Sequence, residues 1–137
     1  MNLPPREKAA PSTQRAAVHL KATTRAPGES REFVQRCLRV WNSSCDCDQA
    51  MAVVCELVTN AVTHASSDVE LVVQRTAKGV VIEVSDGDSS MPQMMKPGRF
   101  DECHRGMIIV AAQSDRWGAR ATASGKTVWA EIDDVAV

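Results

Sequence analysis

Glu56-Leu57-Val58-Thr59-Asn60-Ala61-Val62-Thr63-His64-Ala65 is the stretch on which the reading of this chain turns. From about Asp48 to Ala65, Met51, Val54, Leu57, Val58, Ala61 and Ala65 recur at helical spacing and make one apolar stripe. A second stripe carries Glu56, Asn60, Thr63 and His64. Residues four apart on a helix stand about 6 Å apart at Cβ, so Glu56, Asn60 and His64 line up along one side. Asp46 or Asp48 is placed to cap the start, because a short carboxylate accepts from the free N–H groups of a first turn.

Upstream, Phe33, Val34, Cys37, Leu38 and Trp41 recur at three- and four-residue steps, which predicts a helix over 29–41. Val18 to Thr24 reads as a short strand, ended by the turn signal Ala26-Pro27-Gly28. Residues 1–17 read as a flexible extension and residues 18–137 as a single domain. Downstream, alternation over 69–74 and 80–86 predicts two strands joined by a tight turn at Ala77-Lys78-Gly79. Gly87 to Cys103 has no clear period and reads as a long irregular loop, a kind of segment that is commonly functional. A short helix over 106–113 and strands over 116–121 and 127–132 complete the chain. The order β-α-α-β-β-loop-α-β-β describes an α+β fold: a two-layer sandwich with helices on one face of a mostly antiparallel sheet.

Composition narrows the function. The chain has 137 residues, enough for one core, with 16 basic and 17 acidic residues and a formal net charge of −1. No basic excess argues for direct contact with nucleic acid. No apolar run approaches the roughly 18–20 residues that span a bilayer, so no membrane partner is expected. Met1 to Pro11 is followed by no apolar h-region, so the expectation is a cytoplasmic protein whose five cysteines stay as thiols. Cys45-Asp46-Cys47 lacks the two-residue spacer of common zinc sites and has no second pair.

The residues that could carry chemistry are few. By alternation Asp86 shares a face with Val80, Ile82 and Val84, where a carboxylate is costly unless it is hydrogen-bonded. A ligand amino group in a pocket would satisfy it, and so would an ordinary Asp86-Gly87 turn. Glu56 and Asn60, one helical turn apart, suit a Mg-nucleotide site: the Asn oxygen is a hard ligand, and the Glu accepts a proton or orients a nucleophile. Alone, the same two residues describe a solvated helix face.

Taken together, Glu56 to Ala65 closely resembles the N-box of the GHKL (Bergerat-fold) ATPases, in the form seen in anti-sigma-factor serine/threonine kinases and their actinobacterial relatives. Ile82-Glu83-Val84-Ser85-Asp86-Gly87 resembles the D-box strand that reads adenine, and Arg105-Gly106-Met107-Ile108-Ile109-Val110 resembles the glycine box. Asp115-Arg116-Trp117-Gly118 and Gly125 to Glu131 look like the closing strands. The resemblance spans about residues 18–133, in order and with matching spacing. It implies ATP and Mg²⁺ as ligands. Asp86, followed by Gly87, would accept from the adenine amino group, with Thr127 assisting near the base. Asn60 would hold the metal, Glu56 would be the general base, and His64 would line the same side. Gly106, with Met107, would open a helix whose N–H groups approach phosphate. Residues 87–105 would be the lid, with Arg105 a charge partner for phosphate. The implied activity is transfer of a phosphoryl group to a serine of an anti-anti-sigma antagonist, with a sigma factor as second partner, a role in transcription regulation, and a homodimer.

Two features depart from the family pattern. Gly87 is followed by Asp88-Ser89-Ser90-Met91-Pro92 without a further glycine, and His104 stands where the glycine box has its first glycine. A side chain there would crowd the phosphates, which keeps open a catalytically silent GHKL-fold regulator that binds protein partners with weak or no nucleotide. A histidine-kinase catalytic domain is a third reading, disfavoured because no helical segment with a phosphoacceptor His precedes the N-box. Thr127 shares parity with Trp129 and Glu131, so if Thr127 faces a nucleotide, Trp129 must face the helices.

Overall fold

Ala50, Val53, Val54, Leu57 and Val58 are all buried on the helix α2, Cys47–Asn60, whose first turn is capped by Asp46: its Oδ1 accepts from the Gln49 N–H at 3.1 Å. The computed structural model describes residues 14–88 and 102–135, the side chains of 102–106 excepted. Before α2 come β1, Arg15–Leu20, and α1, Ala26–Val40. After it a π-helical turn, Ala61–Ala65, ends at Ser66 in the left-handed region (φ 52°). Then follow β2 (Val69–Arg75), β3 (Gly79–Asp86), α3 (Glu102–Gln113), β4 (Arg116–Thr122) and β5 (Gly125–Asp133).

The strands form one antiparallel sheet in the order β1-β2-β3-β5-β4. One face presents Leu71 and Val73 from β2, Val80, Ile82 and Val84 from β3, and Val128, Ala130 and Ile132 from β5. On it pack Val34 and Leu38 of α1, the α2 stripe, and Met107 and Val110 of α3. This is the α+β two-layer sandwich expected from the sequence, with its helices on one face of the sheet. No helix among the described residues is long and apolar enough to cross a membrane.

Several boundaries differ from the sequence expectation, each for a local reason. Arg15 to Ala17, expected in the extension, pair with Gln74 to Val72, so the extension gives up its last residues to β1. β1 ends at Leu20 rather than Thr24, because Asp68 Oδ1 accepts from the Ala22 N–H at 3.0 Å and turns the chain. Ala26-Pro27-Gly28 is the first turn of α1 rather than a separate turn, a position where proline costs nothing because its missing N–H would have no intrahelical partner. α3 begins at Glu102, one turn before Gly106. Residues 1–13, and 89–101 of the expected loop, lie outside the described residues.

The opposite sheet face carries its own packing. Val81, Glu83 and Thr127 are nearly as buried as the core. Trp129 lies across Gly118 on the neighbouring strand, where an added Cβ would come within 2.5 Å of the ring, so only glycine lets the indole lie flat there.

Candidate functional site

Two contacts fix how α2 and α3 lie. Gln49 Nε2, at the start of α2, donates to the carbonyl of Gln113 at the end of α3, and Asn60 Nδ2, at the end of α2, donates to Met107 Sδ at 3.5 Å near the start of α3. The helices therefore run antiparallel, and the N-terminal turn of α3 sits beside the Asn60 end of α2. The N–H groups of the N-cap and of the first three helical residues have no intrahelical partner, and the helical three here belong to residues 102–104. Gly106 is past them, and its N–H falls within the intrahelical ladder. The expectation that Gly106 opens the helix is thus corrected: the helix end is a turn earlier. The side chains of His104 and Arg105 lie outside the described residues.

Glu56 and Asn60 are both half-buried on α2. With its Nδ2 turned to the Met107 sulfur, Asn60 leaves Oδ1 as the atom for a hard cation. Met107 is buried to 1% exposure and orients Asn60 from within the core, rather than standing among ligand contacts. Among the described residues no three His, Cys, Asp or Glu side chains gather as a metal site. One amide oxygen with a nearby carboxylate suits Mg²⁺, which keeps several waters and takes oxygens from a bound phosphate. The residues present fit that ion only together with a phosphate ligand. His64 is exposed on the π-helical turn. Hydrogen bonding i→i+5 widens the helix there and rotates His64 away from where an α-helix would carry it; such insertions are frequent at functional sites.

The other end of the site is built by strands. Asp86 is the last residue of β3 and faces the helices, as alternation with Val84 and Ile82 requires. Its register partner on β5 is Lys126, and Lys126 Nζ donates to Asp86 Oδ1 at 3.1 Å and to the Asp88 carbonyl at 3.1 Å. The Asp88 N–H donates to the same Oδ1 at 2.8 Å. The side chains are 2% and 10% exposed, which makes this a buried ion pair. Gly125 permits it: a Cβ there would come within 2 Å of the Asp86 carbonyl, in fact 1.9 Å, so only glycine lets β5 start so close to the end of β3. The Gly87 N–H donates to Ser67 Oγ at 3.0 Å, tying this end to the segment that follows the π-helical turn.

Thr127 is not in this arrangement. It pairs with Ser85 on the far face of the sheet, where the two hydroxyls meet at 2.7 Å. The expectation that Thr127 assists near the base is corrected by register: Asp86 opposes Lys126, so parity sends Thr127, Trp129 and Glu131 together to the face away from the helices. The strand expected over 127–132 begins one residue too late to include Lys126. The signal that could have found it is its place one residue before Thr127, on the parity of Val128 and Ala130.

A family model described as a histidine kinase-like ATPase domain matches residues 20–132. Among solved structures the fold is similar to that of the RsbU and RsbW domains of Rv1364c from Mycobacterium tuberculosis, with a TM-score of 0.65 at 17% identity. The match covers 89% of this chain and 33% of that chain, so this chain corresponds to about a third of the length of that two-domain chain. The curated proteins searched contain no match.

Proposed function

Since the chain belongs to the histidine kinase-like ATPase family, we propose that it binds Mg-ATP between α2, α3 and the ends of β3 and β5, and phosphorylates a serine of an anti-anti-sigma antagonist in the cytoplasm while also binding a sigma factor. The observation that carries this reading is Asp86: a charged acceptor, 2% exposed, held at the end of a core strand on the side where α2 brings Glu56 and Asn60. Asp86 accepts from the exocyclic amino group of adenine. Asn60 Oδ1 holds Mg²⁺, which neutralises phosphate charge, and the free N–H groups at the start of α3 face the phosphates, where the helix dipole favours anions. Glu56 accepts the proton as the serine hydroxyl attacks the γ-phosphorus and ADP leaves with the bridging oxygen. Such chemistry is mainly positioning and charge stabilisation. The partners rest on the N-box form of Glu56 to His64 and on the likeness of fold to a protein that carries an RsbW domain. By the same resemblance the protein acts as a homodimer.

Titration with a labelled ATP analogue and Mg²⁺ tests the site. Wild type should bind, and both Asn60→Ala and Asp86→Asn should weaken binding; affinity indifferent to both changes would remove the site. A silent regulator is the second reading, favoured by His104 in the first glycine-box position. His104→Gly separates the two: tighter nucleotide binding shows a crowded ATP site, whereas a chain that binds its protein partners but no nucleotide, with or without His104, is the silent form.

A further inference from the structure

The Lys126–Asp86 pair is the most buried ion pair among the described residues, and it lies where the base would be read. Taking two charges out of water is costly, and a buried pair is weak evidence for stability alone. Its geometry leaves one atom on each side for a ligand. Asp86 Oδ1 already accepts from Lys126 Nζ and the Asp88 N–H, which leaves Oδ2 as the second acceptor of the carboxylate. Lys126 Nζ has three N–H bonds, and Asp86 and the Asp88 carbonyl take two. What remains is an acceptor beside a donor. The Watson–Crick edge of adenine presents the complement, the N6 amino donor beside the N1 acceptor. In the same pose guanine presents an acceptor and a donor in the reverse order.

We infer that Lys126 is a specificity-determining residue of the nucleotide site, donating its third N–H to N1 of adenine while Asp86 Oδ2 accepts from the N6 amino group. The inference rests on the ATP-binding reading above and adds a second, cationic contact to the base. The pair does this without rearrangement: Gly125 holds the start of β5 against the end of β3, and the Asp88 backbone grips both charged groups. Fixing the two atoms in advance avoids the ordering cost that a flexible lysine would incur on binding. A ligand with no acceptor at this position would leave a buried N–H facing carbon, which is heavily penalised.

The test compares ATP, 1-deaza-ATP and 7-deaza-ATP on the wild-type full-length chain with Mg²⁺, by calorimetry or analogue displacement. Replacing N1 by C–H should weaken binding about ten- to a hundredfold, the range for a lost hydrogen bond from a charged donor, while 7-deaza-ATP should bind like ATP. In Lys126→Met the gap between ATP and 1-deaza-ATP should close. Lys126→Arg, which keeps a cationic donor, should retain part of it. Equal wild-type affinity for ATP and 1-deaza-ATP, or a loss confined to 7-deaza-ATP, overturns the assignment of Lys126 while Asp86→Asn still reports on the ATP site. If ATP itself does not bind, this inference falls together with the site. The wild-type comparison needs no variant, so it decides even if Lys126→Met fails to fold.

Discussion

The two ends of the candidate site are built in opposite ways. At the strand end, Asp86 and Lys126 are buried, charged and hydrogen-bonded to each other and to the Asp88 backbone with no ligand present. At the helix end, Glu56 and Asn60 are half-buried, and the one described partner of Asn60 is a thioether, a weak acceptor. The strand end is set by folding, whereas the helix end, on the proposed reading, keeps its polar atoms for phosphate and metal. Substitutions at the strand end should therefore change stability and binding together, and those at the helix end should change binding or turnover alone.

Asp86→Ala tests that division with the largest expected effect. It leaves the Lys126 ammonium buried without its counter-ion, so stability should fall by about 3–5 kcal/mol, along with ATP binding. Adding Lys126→Met should restore part of the stability but none of the binding. Urea midpoints of the two variants are the measurement; a single variant as stable as wild type would mean that the strand end is not set by folding. At the helix end, Glu56→Ala should lower phosphoryl transfer by about 10²–10⁴-fold, the usual worth of a positioned general base, with the urea midpoint and ATP affinity near wild type. Transfer equal to wild type would take Glu56 out of the chemistry.

The helix end was the more legible of the two in the sequence, and the reason is range. Glu56 and Asn60 are one turn apart on one helix, so their shared face follows from local periodicity. Asp86 follows from alternation along a single strand. The face of Thr127 does not, because parity fixes only that Thr127, Trp129 and Glu131 go together. Which face they take is set by pairing with β3, where Thr127 meets Ser85, 42 residues away in sequence. A tryptophan on the helix-free face runs against the usual burial preference, and it rests there on Gly118. The layers, strand number and sheet direction were readable, since each helix and strand shows its own period. The π-helical turn at Ala61–Ala65 was not: one added residue per turn hardly disturbs an apolar pattern only five residues long. The early start of α1 escaped because proline marks both turns and first helical turns, and that of α3 because Gly106 was read as the helix start although it lies a turn inside.

A change in α2 away from both ends sharpens the contrast. Asp46 caps the first turn of the helix that carries Glu56 and Asn60, but it lies at the opposite end from Asn60. Asp46→Ala should cost about 1 kcal/mol of stability and leave ATP affinity within error. A loss of affinity as large as that of Asn60→Ala would show that the helix end depends on helix integrity and not only on its own side chains.

The smallest expected effect lies outside the site, at the β1 edge, and serves as a reference. His19 Nε2 meets Asp68 Oδ2 at 3.0 Å and its Nδ1 meets Glu70 Oε1 at 3.3 Å, both exposed to solvent. The hydrogen bond to Asp68, then that to Glu70, holds the His19 imidazolium and raises its pKa above the ordinary histidine value. The His19 hydrogen bond, then the Ala22 N–H, lowers the Asp68 carboxyl. A raised histidine contributes stability that is fully present below its unfolded pKa of about 6.5 and is lost as pH climbs through the folded value. A depressed carboxylate contributes stability that is present above about 3.9 and is lost as pH falls through its folded value. The pair therefore helps most between those limits. Because both groups are exposed and screened, the gain should be small and should fade with added salt. An NMR titration of the His19 ring should show a midpoint above the ordinary histidine value, moving down in Asp68→Asn. A midpoint at or below the ordinary value would show that the pair does not persist in solution.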